Sequence, residues 1–488
     1  MSTPQHHTTR PEDRIPFPKK LAYGAGAFVN NLLGAAPGEM MIVLNLGLGM
    51  DPVLIGWLGF IPRITDAITD PLMGFISDGT RSRWGRRRPY IFAGAILVAI
   101  IFAAMWQLSP QWSQGFTFVW FLLFSIFFYI AYTMMATPWV ALGYELTPDY
   151  HERTRLMGTQ YFAGSVVYLV TPWFLAIMNS GKFFRDAAGK PDQIAGAGGL
   201  AIVIAVVVLA LGILPAIFLR ERSFSSRSAA ADPARSAPPM AERFREFFAG
   251  FAATLKSGPF LKLCAATFLI FNGFILVASF QKYVLIYYVF AGDQTEGAKW
   301  FGIAGSVTQF SAFGAVVLVT WLSTRIGKRR TFIAATYVAM LGYALKWFCY
   351  NPAVPWMVLI PAPLLGFSLS TLFTLMPSMT ADVVDLDELN THQRREGMYG
   401  SIYWFMVKLG LSAALLGSGY LLNATGFDVD LGPIQAPRTL TLMRLFDAGV
   451  PVLTSLLAIW AVSRFPLTEE KAYAIRRRLE DRRGKAQL

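Results

Sequence analysis

Arg63-Ile-Thr-Asp66-Ala-Ile-Thr-Asp70-Pro-Leu-Met-Gly74, running on through Ser77-Asp78-Gly-Thr-Arg81-Ser-Arg83-Trp-Gly-Arg86-Arg87-Arg88-Pro89, sets three charged side chains inside an apolar run and then delivers a block of arginines. The surroundings of this stretch decide how it is read. Ile91 to Met105, Phe116 to Met135 and Leu200 to Leu219 are too persistently apolar for core helices of a soluble domain, and roughly 20 such residues cross a bilayer. The 488 residues are 54% hydrophobic and 15% charged, with a mean hydropathy of +0.45; soluble domains carry about 25% charged residues. The predicted fold class is therefore an all-α membrane protein of about 12 transmembrane helices.

Working outward, the apolar runs predict helices near 21–48, 53–78, 89–108, 116–144, 157–179 and 198–219, and again near 258–290, 300–324, 330–350, 354–381, 398–423 and 440–464. Five segments follow: a tail at 1–20, a six-helix bundle at 21–220, a loop at 221–257, a second bundle at 258–465 and a basic tail at 466–488. The net charge of +13 resides in short segments between apolar runs, so it indicates positive-inside topology rather than nucleic-acid binding. Arg81 to Arg88, Arg153 and Arg155, Arg325 to Arg330 and Arg476 to Arg483 all fall on the side of Lys19 and Lys20. Both termini are expected in the cytoplasm, in a multi-pass protein of the inner membrane.

Met1 to Lys20 is polar and Pro-rich and reads as a tail without a cleavable leader; His6 and His7 there are not expected to bind metal. Glu221 to Pro239, rich in Ser, Ala, Arg and Pro, separates the halves, and Phe244, Phe247 and Phe248 recur beyond it at the spacing of an amphipathic surface helix. Arg83-Trp-Gly-Arg-Arg-Arg88 echoes Thr324-Arg-Ile-Gly-Lys-Arg-Arg330, a weak internal repeat. Cys264 and Cys349 sit in apolar runs and read as buried hydrophobes.

Arg63, Asp66 and Asp70 are spaced three and four apart, on one helical face. Counting inward from Asp78, Asp70 lies about 12 Å and Asp66 about 18 Å into the membrane. An ionised group there costs at least about 2.5–3.5 kcal/mol. A monovalent cation or a proton shared by two repelling carboxylates offsets that cost; a fixed pair with Arg63 is the alternative. Lys408 near mid-membrane in helix 11 calls for a carboxylate partner on helix 2, while Asp78 reads as a link to the arginine loop. Thr69, Tyr132 and Thr133 offer hydroxyls, and Asn30 and Asn31 amides, at a similar depth. Trp139, Tyr161, Tyr403 and Trp404 are candidate sugar-stacking rings, although packing is the commoner use of each, and Gln281, Lys282, Lys346, Arg444 and Asp447 either line a cavity or sit near interfaces. No nucleophile–base set, metal-ligand spacing or phosphate loop points to an enzyme.

The helix 2 motif resembles that of the glycoside–pentoside–hexuronide:cation symporters, the melibiose-carrier family of the major facilitator superfamily. Lys20-Leu-Ala-Tyr-Gly-Ala-Gly-Ala-Phe28, Tyr132-Thr-Met-Met-Ala-Thr-Pro138, Ala381-Asp-Val-Val-Asp385 with Met406-Val-Lys408, and Pro466-Leu-Thr-Glu-Glu470 extend the likeness over nearly the whole chain. The resemblance implies sodium- or proton-coupled symport of a small solute, a glycoside or other saccharide, with no other cofactor; a monomer in the lipid bilayer is expected. It makes Asp66 and Asp70 the cation carboxylates, Thr133 a cation-site hydroxyl and Lys408 the helix 11 lysine. It leaves the sugar site altered: Asn31, Ala136, Val140 and Tyr161 stand where the family has two aspartates, a tryptophan and an arginine, and Tyr132 alone is kept. The alternative cargo is an amphipathic lipid or an apolar glycoside on the same fold.

Overall fold

A computed structural model describes residues 11–147, 149–181, 184–185, 189, 191–221, 254, 256–392 and 395–483. The amphipathic segment expected at Phe244 to Phe248, and His6 and His7, lie outside the described residues. The chain divides into two compact units, Met1–Arg227 and Ser228–Leu488.

The first unit contains α1 (Phe17–Met40, prolonged by Ile42–Leu46), α2 (Pro52–Gly79), α3 (Arg88–Met105), α4 (Gln114–Glu145), α5 (Tyr150–Ser165, prolonged in short turns to Met178) and α6 (Gln193–Gly212, prolonged by Leu214–Phe218). The second contains α7 (Gly258–Tyr283), α8 (Gln294–Ile326), α9 (Lys328–Cys349), α10 (Ala362–Thr391), α11 (Glu396–Ala424), α12 (Pro437–Ser463) and a final polar helix α13 (Glu469–Arg483). Eleven of the described helices are long and apolar enough to cross a membrane. The 28 residues of α2 are long enough as well, and it carries Arg63, Asp66, Asp70 and Asp78.

Helix starts follow local chemistry. Asp51, Ser113, Asp149, Asp192 and Asp293 each turn a side-chain oxygen onto a backbone N–H of the first turn, satisfying donors that have no intrahelical partner. Asp149 explains why α5 begins at Tyr150 and not at 157: its cap, with Glu152 pairing to Lys20 at 2.6 Å, holds a polar turn in helical form. Asp293 extends α8 forward in the same way.

The internal repeat becomes physical at the loops. In the first unit α1 packs on α5, α2 and α3 on α4, and α3 on α6; α7 on α11, α8 and α9 on α10, and α9 on α12 repeat that pattern. Gly85 (φ +101°) and Gly327 (φ +84°) adopt the left-handed region where a Cβ is disfavoured. The Glu221 carboxylate accepts from the backbone N–H groups of Arg86 (2.9 Å), Arg87 (2.7 Å) and Arg88 (3.3 Å), at the start of α3. The Glu469 carboxylate likewise lies against Gly327, 3.0 Å from where a Cβ would stand. Arg88 donates to the carbonyls of Ala216 and Ile217 in the last turn of α6, as Arg329 does to those of Ser463 and Phe465 at the end of α12. Each loop is thereby clamped to the last helix of its own bundle. Arg87 also pairs with Asp78 at 2.9 Å, as the sequence suggested, and with Glu145 at 2.8 Å.

Candidate functional site

Two ladders of side chains face each other where α2 packs on α4. Asp66 and Asp70 stand one turn apart on α2, and Thr133 and Thr137 one turn apart on α4. Asp66 is fully buried and Thr133 is 1% exposed. The Thr133 hydroxyl lies 3.0 Å from Asp66 Oδ1 and 3.2 Å from Asp70 Oδ1. It has one hydrogen, so it serves one carboxylate at a time. Thr69 Oγ1 is 3.2 Å from Thr133 Oγ1 and 3.3 Å from the Asp66 carbonyl. Thr137 donates to Asp70 Oδ1 at 3.2 Å. The result is a set of hard oxygen atoms between two membrane-spanning helices, the ligand type that suits hard cations.

Arg63 does not lock this arrangement. Its Nη1 stands 3.9 Å from Asp66 Oδ2, beyond hydrogen-bond distance, while Nη2 donates to the Gly34 carbonyl at 3.2 Å and the guanidinium lies 4.8 Å over the Tyr129 ring. Its charge acts on both carboxylates, Asp66 and Asp70.

Beside the carboxylates, α1 supplies an amide pair. Tyr132 donates to Asn30 Oδ1 at 2.9 Å, and Asn30 Nδ2 donates to Asn31 Oδ1 at 3.3 Å. Asn31 also lies against Gly164 of α5. Asn30, Asn31, Tyr132 and the carboxylate–threonine ladders thus share one region of the first unit. Tyr161, on α5, is half exposed, and Tyr168 beside it is within electrostatic range of both Tyr161 and Arg63.

Trp139 has a different position from the one its neighbours suggested. It is 2% exposed, stacks on Tyr23 with ring centroids 5.0 Å apart, and spends its indole N–H on the Tyr23 carbonyl at 3.2 Å. A Cβ on Gly26 would fall 2.2 Å from the Trp139 nitrogen, so the ring needs a glycine opposite it. This tryptophan packs α1 against α4.

In the second unit Lys408 stands on α11, where Ser412 donates to its backbone carbonyl at 2.8 Å. Trp404, on the same helix, is half exposed and meets Tyr403 edge-on at 5.6 Å. Lys346 of α9 and Asp447 of α12 form an ion pair at 2.6 Å with side chains 1% and 2% exposed. Arg444 is held between the rings of Tyr288 (4.2 Å) and Trp347 (4.4 Å), and Lys282 lies 5.2 Å over Phe301. Cys264 and Cys349 are free and buried.

Thr137 was missed by the sequence reading. Its signal was present: it follows Thr133 at the same i,i+4 interval that singled out Asp66 and Asp70.

The profile of a family described as MFS/sugar transport protein matches residues 22–469. The isoprimeverose transporter of Lactiplantibacillus pentosus is 24% identical, covering 92% of this chain and 91% of its own. The sodium-dependent lysophosphatidylcholine symporter 1 of Gallus gallus is 25% identical, covering 96% of this chain and 90% of its own. Among solved structures, a bacterial homolog of the lysosomal transporter Spinster superposes with a TM-score of 0.66 at 16% identity, covering 96% of this chain and 99% of that one. That likeness is one of fold.

Proposed function

We propose, proceeding from the fact that this chain belongs to the MFS/sugar transport protein family, that it is a cation-coupled symporter that moves a small solute across the inner membrane by alternating access. The solute is a glycoside or other saccharide, as for the isoprimeverose transporter it is similar to. One observation carries the reading: two carboxylates one turn apart in a membrane-spanning helix converge on the single hydroxyl of Thr133. One hydrogen serves only one of two ionised carboxylates, and a sodium ion or proton taken up there both relieves their repulsion and links occupancy to the membrane gradient.

In this reading Asp66, Asp70, Thr69 and Thr133 hold the ion, and Arg63 and Lys408 supply the basic charges against which coupling works. Asn30, Asn31 and Tyr132 recognise solute hydroxyls, with Tyr161 and Trp404 as stacking surfaces. Trp139 serves packing instead. Both termini face the cytoplasm, and the transporting unit is a monomer.

The test is uptake of labelled β-glycosides into liposomes holding the purified protein, under an imposed sodium or proton gradient. Accumulation that Asp66→Asn and Asp70→Asn each abolish is the expected result. Undiminished gradient-driven uptake by both variants overturns the coupling role.

A second reading has its own support, since the chain is equally similar to a sodium-dependent lysophosphatidylcholine symporter. Here the cargo is an amphipathic lipid. Stabilisation against heat by lysophosphatidylcholine at concentrations below its micelle threshold, and by no glycoside, selects this cargo.

A further inference from the structure

The chain offers two ways of satisfying a carboxylate in the membrane, and they bear on which ion drives transport. A proton needs one carboxylate oxygen. A metal cation stripped of water needs several oxygens at once, arranged around a point. Ligand number is therefore the feature that separates the two.

Asp66 and Asp70 differ in this respect. Asp66 has Thr133 on one oxygen and the Arg63 guanidinium 3.9 Å from the other. Asp70 has two hydroxyls on the same oxygen, Thr133 and Thr137, each at 3.2 Å. Arg63 acts electrostatically on both carboxylates, but the second hydroxyl, that of Thr137, is given to Asp70.

The backbone adds an independent sign. Asp70 is followed directly by Pro71, and Thr137 directly by Pro138, both inside their helices. A proline has no N–H, so each releases the carbonyl four residues earlier from its intrahelical bond. Those are the carbonyls of residues 67 and 134, in the same turns as the two ladders. Both helices run on unbroken through these prolines, and carbonyls freed at membrane depth are tolerated where other groups satisfy them.

From these two observations we infer that Thr137 is a specificity-determining residue: with Thr133 it equips the Asp70 end of the site for a dehydrated metal cation, sodium in the first instance, in place of a proton. The inference rests on the cation-coupled reading above and names its ion. Thr137→Val keeps the shape and branching of the side chain and removes only the oxygen. Thr137→Ser keeps the oxygen and removes only a methyl group.

The test uses the full chain, purified, with sodium chloride as the probe against choline chloride at constant ionic strength. Heat stability is followed as sodium is raised at neutral pH. Wild type is expected to be stabilised by sodium and not by choline. Thr137→Val is expected to need about tenfold more sodium for the same effect, through the loss of one oxygen ligand. Thr137→Ser should stay near wild type, which separates a missing ligand from disturbed packing.

Three results overturn the inference while leaving the coupled-transport reading intact. One is a sodium response in Thr137→Val equal to wild type, with Asp70→Asn silent. Another is loss of the response in Thr137→Ser as well, which assigns the effect to packing. The third is wild-type protein indifferent to sodium whose uptake follows a proton gradient. If instead Asp66→Asn and Asp70→Asn both respond to sodium as wild type does, the site itself is wrong and the inference goes with it.

Discussion

The two units pair their helices alike and clamp their loops alike, yet they treat buried charge in opposite ways. In the first unit, carboxylates and hydroxyls share atoms: one Thr133 hydrogen faces two acceptors, and Arg63 stands back at 3.9 Å. In the second, Lys346 and Asp447 close on each other at 2.6 Å in nearly complete burial. In the proposed function, the first arrangement leaves a choice for a mobile ion to settle. The second has already settled it with a fixed one. Duplicated architecture thus carries two electrostatic solutions, one suited to exchange and the other to holding helices together.

The sharpest way to break this contrast is to remove one partner of the closed pair. Asp447→Asn should destabilise the protein by about 3–5 kcal/mol, because it strands a buried ammonium. Denaturant unfolding in detergent would measure it. Removing both charges, as Lys346→Met with Asp447→Val, should restore stability to within about 1 kcal/mol, since apolar groups of similar volume replace a buried pair well, and should leave ion-driven uptake intact. A folded double variant that no longer couples would mean the second unit also exchanges charge.

The loop clamps offer a smaller contrast. Glu221 accepts from three successive backbone N–H groups, so Glu221→Gln should cost about 1.5–3 kcal/mol, the usual range for bonds to a charged group. Glu469→Gln should cost less. Equal losses in thermal unfolding would show that the clamps are energetically as well as geometrically repeated.

Packing around Trp139 comes next. Gly26→Ala sets a methyl group 2.2 Å from the indole nitrogen, and overpacking of this kind costs about 1–3 kcal/mol. A lowered melting temperature with an unchanged sodium response is expected; a changed sodium response would place Trp139 in the site after all. The smallest effect belongs to Tyr132→Phe. It deletes the donor to Asn30 and should weaken solute binding by about 0.5–1.5 kcal/mol, read as a rise in the half-saturating solute concentration at fixed ion.

Much of the proposed cation site was legible because a helix repeats every 3.6 residues. Intervals of three and four place Arg63, Asp66 and Asp70 on one face of any helix that carries them. The same arithmetic had more to give. Thr137 lies one turn beyond Thr133, on the ladder's face. Trp139 lies two positions past Thr137, about 200° around the helix, which turns it toward α1 and Tyr23. Proximity along the chain made it look like a site residue, and periodicity argues the reverse.

Other features had no local signal. The partner of Lys346 is 101 positions away on another helix, and the clamp on Gly85 comes from Glu221, beyond α6. Spacing says nothing about pairs of that kind.

The amino-acid sequence by itself determined that this protein spans a membrane, because long apolar runs leave water at a free-energy gain that no loop can reverse. It also determined that two acidic groups are carried into that apolar medium on one helical face, since periodicity is a property of the single helix. Tertiary structure alone decided what meets them: Thr133 and Thr137 from α4, with Arg63 held back by Gly34 and Tyr129. The reason is geometric. A helix fixes directions within itself, and only packing fixes which oxygen of one helix comes within about 3 Å of a carboxylate on another.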